Sequence, residues 1–188
     1  MNEEVHLGRA SKLLVPRVVN VVATADLRQR VDLVRIGGMV GGSHDPKIYA
    51  CAYLSVSPMR GRVSVFSTGK LISVGTKSPE AARADLGYAA KALELEGVAR
   101  RVRPEVTIRN IVLALDLGEI LDLPVLSVEL EESVYEPEIF PGLAWKPGDF
   151  PGHFLLFNSG KVVASVKTMA DARRVRKYLR SRVLHHYN

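Results

Sequence analysis

One hairpin signature occurs twice in this chain. Val63 to Ile72 reads Val-Ser-Val-Phe-Ser-Thr-Gly-Lys-Leu-Ile, and Phe154 to Val163 reads Phe-Leu-Leu-Phe-Asn-Ser-Gly-Lys-Val-Val. Each is an apolar run ending in an aromatic, a turn of small polar residues and glycine, and a lysine opening a second run, the form of a β-hairpin. Phe66 falls on Phe157, Gly69 on Gly160 and Lys70 on Lys161, an offset of 157 − 66 = 91. Val19-Asn20-Val21-Val22-Ala23 aligns with Arg109-Asn110-Ile111-Val112-Leu113, Asp26-Leu27 with Asp116-Leu117, and Asp32-Leu33 with Asp122-Leu123, at 110 − 20 = 90. Asp45-Pro46-Lys47-Ile48-Tyr49 aligns with Glu136-Pro137-Glu138-Ile139-Phe140 at 140 − 49 = 91. Matched blocks in one order make two copies of a unit about 90 residues long, far beyond a solenoid repeat. The product is one pseudo-symmetric domain or two small domains.

The chain of 188 residues is 47% hydrophobic, enough to bury a sizeable core. No apolar run reaches membrane-spanning length, and Met1 to Lys12 is polar and mixed in charge, so a soluble intracellular protein is expected. The lone Cys51 reads as a small buried strand residue. Residues 1–103 hold 16 Lys/Arg against 9 Asp/Glu, and residues 104–188 hold 10 against 11. Within the second half, Glu129 to Glu138 carries five glutamates and no cation, while Arg173 to Arg182 carries six cations and no acid. A basic balance suits a polyanionic partner, and the acidic run points to a second partner of another kind.

Each copy reads as strand, short helix, four strands and long helix. In the first, Arg17 to Ala25 is a strand, and Leu27 to Ile36 is predicted as a short helix capped by Asp26. The glycines from Gly37 to Gly42 mark a flexible connection or irregular edge strand, and Tyr49 to Val74 a three-stranded meander. Ser78-Pro79 opens a helix to about Glu96, with Gly97 as its stop. Arg100 to Pro104 links the copies. The second copy has a strand at Thr107 to Leu115, a short helix around Glu119 to Val125, a strand at Ser127 to Tyr135, three more strands to Val166, and a helix from Ala170 to Val183. Two long helices can cover one face of about ten strands. The other, with Val22, Phe66, Ile72, Val74, Val112, Leu155, Phe157 and Val163, either marks a binding surface or packs on itself as core.

Tyr135-Glu136-Pro137-Glu138-Ile139-Phe140-Pro141-Gly142-Leu143, with Leu155 to Val163 downstream, resembles the second repeat of the TATA-box-binding protein family core. The first repeat matches more weakly, through Asn20 to Thr24, Asp45-Pro46-Lys47, Val65 to Lys70 and Gly75 to Ser78. The resemblance covers residues 17–183 in register with the duplication. It implies an α+β fold: a pseudo-twofold saddle, one curved ten-stranded antiparallel sheet with helices on the convex face. The implied divisions are an N-terminal segment (1–16), a first repeat (17–103) and a second repeat (104–188).

The function so implied is a general transcription initiation factor that binds the minor groove of A·T-rich promoter DNA, bends it by aromatic insertion, and recruits transcription factor B and RNA polymerase. The positions matching the family's inserted aromatics are Tyr49, Phe66, Phe140 and Phe157. Asn20 and Asn110 match the base-edge pair, and Val22, Ile72, Val74, Val112, Leu155, Val163 and Ser165 the groove floor. Lys70, Lys77, Lys146, Lys161 and Lys167 match phosphate contacts, and Glu136 and Glu138 the loop meeting transcription factor B. Three departures stand out: Tyr49 replaces a phenylalanine, Ser64 and Val74 replace a leucine and a threonine, and Ala164 to Lys167 is one residue short. They motivate an alternative, a paralogue with relaxed DNA specificity or a saddle module that binds protein. No cofactor, metal or catalysis is expected, since His6, His44, His153, His185 and His186 lack ligand spacing. The family's location would be nucleoid-associated cytoplasm in an archaeon, which the short N-terminus favours, or the nucleus in a eukaryote.

Overall fold

A computed structural model describes residues 15–184. The expected N-terminal segment up to residue 14, together with His6, His185 and His186, lies outside the described residues. Among the described residues, ten strands form one antiparallel sheet in the order β2-β3-β4-β5-β1-β6-β10-β9-β8-β7. Contacts divide the described residues into two compact units, Val19–Asn110 and residues 15–18 together with 111–184.

The first copy runs β1 (Arg17–Asp26), α1 (Leu33–Gly37), β2 (Gly42–Ser43), β3 (Cys51–Leu54), β4 (Arg62–Phe66), β5 (Lys70–Thr76) and α2 (Pro79–Leu95). Helix α2 begins as its residues dictate: Ser78 Oγ accepts the Ala81 N–H at 3.1 Å and Pro79 takes the first turn, where an N–H would be orphaned. Its Ala82, Leu86, Ala89 and Leu93 are fully buried, one stripe packed on β5 and β4. Asp85 lies in that stripe because its carboxylate accepts the Arg60 and Gly61 N–H groups, at 3.0 and 2.7 Å, and so holds the β3–β4 turn.

Helix α1 starts later than expected. Asp26 is no helix cap: its Oδ1 accepts the Arg28 N–H at 2.7 Å and closes a turn, while Asp32 caps Val34 at 2.9 Å. The Gly37 to Gly42 stretch leads into the two-residue edge strand β2.

The second copy runs β6 (Thr107–Asp116), α3 (Leu123–Glu129), β7 (Ser133–Val134), β8 (Gly142–Trp145), β9 (Gly152–Phe157), β10 (Lys161–Val166) and α4 (Met169–Arg182). Ser127 to Glu129 is helical and not strand, because Asp122 caps Val125 at 3.1 Å and Pro124 fits the first turn, so the helix extends to Glu129. In both hairpins the turn glycine has positive φ, +91° at Gly69 and +79° at Gly160. A Cβ there would also meet the Gln29 or Glu119 carbonyl oxygen at 2.1 or 2.2 Å.

The cores differ in filling. Around α4, Tyr178 stacks on Phe150 at 4.5 Å and on Trp145 at 5.6 Å, with Phe154 beneath at 5.9 Å. Asp149 receives the Tyr178 hydroxyl and the Arg182 guanidinium. Those donors, the phenol first, hold the Asp149 carboxyl below the usual carboxylate range, while burial and then the Asp149 bond push Tyr178 up to about 12. Asp149 therefore adds stability that is present above the ordinary value of 3.8 and lost as pH falls through its lowered folded value. Tyr178 adds stability below 10 that is lost as pH rises toward 12. Melting curves of wild type and Asp149→Asn between about pH 2 and 6 should converge at the acid end, with the wild type losing more on acidification.

Candidate nucleic-acid interface

Strand alternation gives each copy two sheet faces, and the helices occupy one. On β1, Val21, Ala23 and Ala25 are buried while Asn20, Val22 and Thr24 are half-buried. The same two phases recur on β4, with Val63 and Val65 against Ser64 and Phe66, and on β5, with Leu71 and Ser73 against Ile72 and Val74. In the second copy Ile111, Leu113 and Leu115 alternate with Asn110, Val112 and Ala114. Phe154 and Leu156 alternate with Leu155 and Phe157, and Val162, Ala164 and Val166 with Val163 and Ser165. Every expected groove-floor position thus lies on the phase opposite the helices. These side chains are half-exposed, so they are not the core of a sheet wrapped on itself. His153 is exposed on β9 and shares the phase of Leu155.

Asn20 is held in one orientation. Its Oδ1 accepts the Gly75 N–H at 2.8 Å, which leaves the amide's two donors uncommitted by that bond. The contact sits at a β-bulge: β1 and β5 pair as Ala23↔Ser73 and then Val21↔Thr76, so β5 carries one extra residue. β10 pairs with β6 without a break, from Lys161↔Asp116 to Val166↔Ile111. The residue missing from Ala164 to Lys167 is this bulge, and Asn110 has no counterpart of the Gly75 contact.

The four expected aromatics are arranged differently in the two copies. Phe140, 39% exposed before β8, stands edge-on to Phe157 with centroids 5.8 Å apart. Tyr49, 46% exposed before β3, stands edge-on not to Phe66 but to Tyr53, at 5.2 Å. Gly142 is the reason on one side: a Cβ there would lie 2.7 Å from Phe140 Cε1 and 3.0 Å from Phe157 Cε1. Cys51 fills the equivalent place, opposite Phe66 in the β3–β4 ladder as Gly142 is opposite Phe157.

Lys70 and Lys161 open β5 and β10 and are exposed, as are Lys77, Lys146 and Lys167 at strand ends. The loops before β3 and β8 share a turn, the Tyr49 N–H reaching the Asp45 carbonyl and the Phe140 N–H the Glu136 carbonyl, both at 2.9 Å. Their charge differs: Asp45 and Lys47 balance, whereas Glu136 and Glu138 are both acidic and exposed.

Sequence reading missed Tyr53 and Arg62. Tyr53 is half-buried on the open face of β3, and the Arg62 guanidinium carbon lies 4.7 Å from its ring centroid. Partial burial pushes the Tyr53 phenol above its ordinary value, the neighbouring Cys51 adding to this and Arg62 opposing it, so the ring is neutral at physiological pH. The signal was the offset of 91, which sets Tyr53 on Ala144 and Ser64 on Leu155.

The family model described as Transcription factor TFIID (or TATA-binding protein, TBP) matches this chain twice, over residues 15–95 and 105–185. The TATA-box-binding protein of Cenarchaeum symbiosum is 39% identical over 162 residues, 85% of this chain and 88% of that protein. That of Pyrococcus furiosus is 32% identical over 167 residues, 87% of each chain. The solved structure of Methanococcus jannaschii TBP superposes with a TM-score of 0.73 at 30% identity, over 87% of this chain and 95% of that one.

Gly142→Ala should part the Phe140 and Phe157 rings and lower stability by about 1–3 kcal/mol, because the added Cβ meets both ring edges and, at 3.2 Å, the Leu156 carbonyl oxygen. Ring-to-ring NOEs between the two phenylalanines, present in the wild type and absent in a variant with a lowered urea midpoint, would establish this.

Proposed function

The chain belongs to the TATA-box-binding protein family, and from that premise we propose that it is a transcription initiation factor that seats the minor groove of A·T-rich promoter DNA on the open faces of its two copies. The observation that carries this reading is the half-exposed apolar phase repeated in both copies, from Val22, Ile72 and Val74 to Val112, Leu155 and Val163. A shallow groove poor in distinguishing hydrogen bonds is read by shape and deformability, for which an apolar floor is suited. Asn20 supports it further, since A·T pairs present only acceptors in the minor groove and its bond to Gly75 leaves donors to offer. Asn110 takes the matching role in the second copy, and Ser165 joins the floor.

Phe140 and Phe157 act as the wedge of the second copy, with Tyr49 and Phe66 at the corresponding positions of the first. An aromatic edge exposed at a loop tip can enter a base step without unfolding any strand. Lys70, Lys77, Lys146, Lys161 and Lys167 neutralise phosphates and set salt dependence, not sequence choice. Glu136 and Glu138 form the acidic loop that receives transcription factor B, through which RNA polymerase is recruited. The protein acts by binding, not catalysis, inside the cell with the promoter DNA it occupies.

A gel-shift comparison of a TATA duplex and a G·C-rich duplex, each with and without transcription factor B, tests the reading. Preference for the TATA duplex, strengthened by transcription factor B and weakened in Glu136→Lys/Glu138→Lys only when that factor is present, is expected; indifference between the duplexes in every lane would sink it. The roles within the face separate by a second measurement. Phe157→Ala should reduce DNA bending, read by end-to-end energy transfer, more than Lys161→Ala does. Lys161→Ala should lower the slope of log affinity against log salt by about 0.9. Identical slopes for wild type and Lys161→Ala would remove the phosphate assignment.

A further inference from the structure

The differences between the copies converge on one spot of the first open face. At the offset of 91, Cys51, Tyr53, Arg62 and Ser64 stand where the second copy has Gly142, Ala144, His153 and Leu155. The ladders make two of these exchanges reciprocal: Tyr53 lies opposite Ser64 in β3–β4, and Ala144 opposite Leu155 in β8–β9. Large and small have traded strands, so the apolar side chain absent at Ser64 is replaced from across the ladder by a phenol ring. The aromatic pair has moved with it, from the Phe140–Phe157 arrangement to Tyr49–Tyr53. The guanidinium of Arg62 lies over the new ring, a cation–π contact that restrains the long side chain on the sheet face.

We propose that Tyr53 and Arg62 form a contact of the first copy to the minor groove of duplex DNA, in which the ring positions the Arg62 guanidinium toward the acceptor-lined, electronegative groove edge of A·T-rich sequence. This rests on the reading of the open faces as the DNA seat. The chemistry is that of a guanidinium facing an anionic groove: the flanking phosphates make the groove electronegative, and a guanidinium already held in place loses less freedom on binding than a free one. Compensation for Ser64 thus brings a positive charge with it. The second copy has His153 at that position and no aromatic at Ala144, so only the first copy carries this contact. The two ends of a bound site are gripped by different chemistry, and an asymmetric duplex has a preferred orientation.

The test measures affinity for a TATA duplex against salt for the full chain and its variants Arg62→Ala, Arg62→Lys and Tyr53→Ala, with Phe157→Ala and Lys91→Ala for reference. Lys91 is exposed on α2, away from the open face. Arg62→Ala should weaken binding about tenfold and lower the salt slope by about 0.9. Arg62→Lys should restore the slope but not the affinity, since an ammonium lacks the planar fork. Tyr53→Ala should weaken binding severalfold with the slope nearly kept, the signature of a positioning residue. Lys91→Ala should change neither. If Arg62→Ala leaves affinity and slope as in the wild type while Phe157→Ala still weakens binding, the contact is wrong and the DNA seat stands. If neither variant alters binding, or the wild type does not bind the duplex, the seat falls and the contact with it. The Arg62 side chain is exposed on the sheet face, so melting temperatures equal to wild type should accompany the Arg62 results.

Discussion

A β-strand offers alternate side chains to opposite faces, and each copy has a single long helix to spend on them. α2 takes Val65 and Leu71 with its buried alanines and leucines, and α4 takes Val162 and Ala164 with Ala172, Val175 and Leu179. A slip of one residue would carry Val22, Ile72 and Val74 under a helix and Val21, Leu71 and Ser73 into the open, so burial and register fix one another. The hairpin turns reinforce this: the main chain at Leu27 and Val31 donates to the Gly69 and Ser67 carbonyls, as Leu117 and Leu121 do to Gly160 and Asn158. The open phase is a by-product of the helix count, present in both copies whatever its side chains are. That separates fold from function along the chain, since odd and even strand positions answer to different demands.

The two copies then use this freedom differently. The second invests in aromatics, with Tyr178 of its helix on Trp145, Phe150 and Phe154 beneath, and the Phe140–Phe157 pair on the open face. The first has a core of aliphatic and alanine side chains and places its aromatic pair one ladder step away, because Cys51 occupies what Gly142 leaves open. The acidic loop at Glu136 and Glu138 and the bulge at Gly75 add to the contrast. A pseudo-symmetric backbone here carries two surfaces of distinct chemistry.

Much of this was legible in residue order. The duplication follows from the repeated order of short blocks, and both hairpins, the Ser78-Pro79 helix start and the phase of the expected groove-floor positions follow from patterns within a few residues. What failed were choices between equivalent local signals. Asp26 and Asp32 are both competent caps, and only the packing of Leu27 and Val31 on the Ser67 to Gly69 turn decides for the second. Ser127 to Tyr135 alternates well enough to read as strand, yet the Asp122 cap and Pro124 commit its start, to Glu129, to helix. Tyr53 was invisible for another reason: its importance comes from facing Ser64, and cross-strand partners exist only once the register is known. The one-residue deficit before Lys167 was visible but could not be read as a missing bulge until β5 showed the bulge intact.

The bond from the Gly75 N–H to Asn20 has a consequence for selectivity. An amide whose oxygen is turned toward its own sheet presents chiefly its two hydrogens outward. Set against the edge of a G·C pair, those hydrogens would meet the exocyclic amino group of guanine, and two donors facing each other leave both unsatisfied. Seated on a minor groove as proposed, such a residue would act by exclusion, and the ordering behind it is completed when the chain folds, before any base pair arrives.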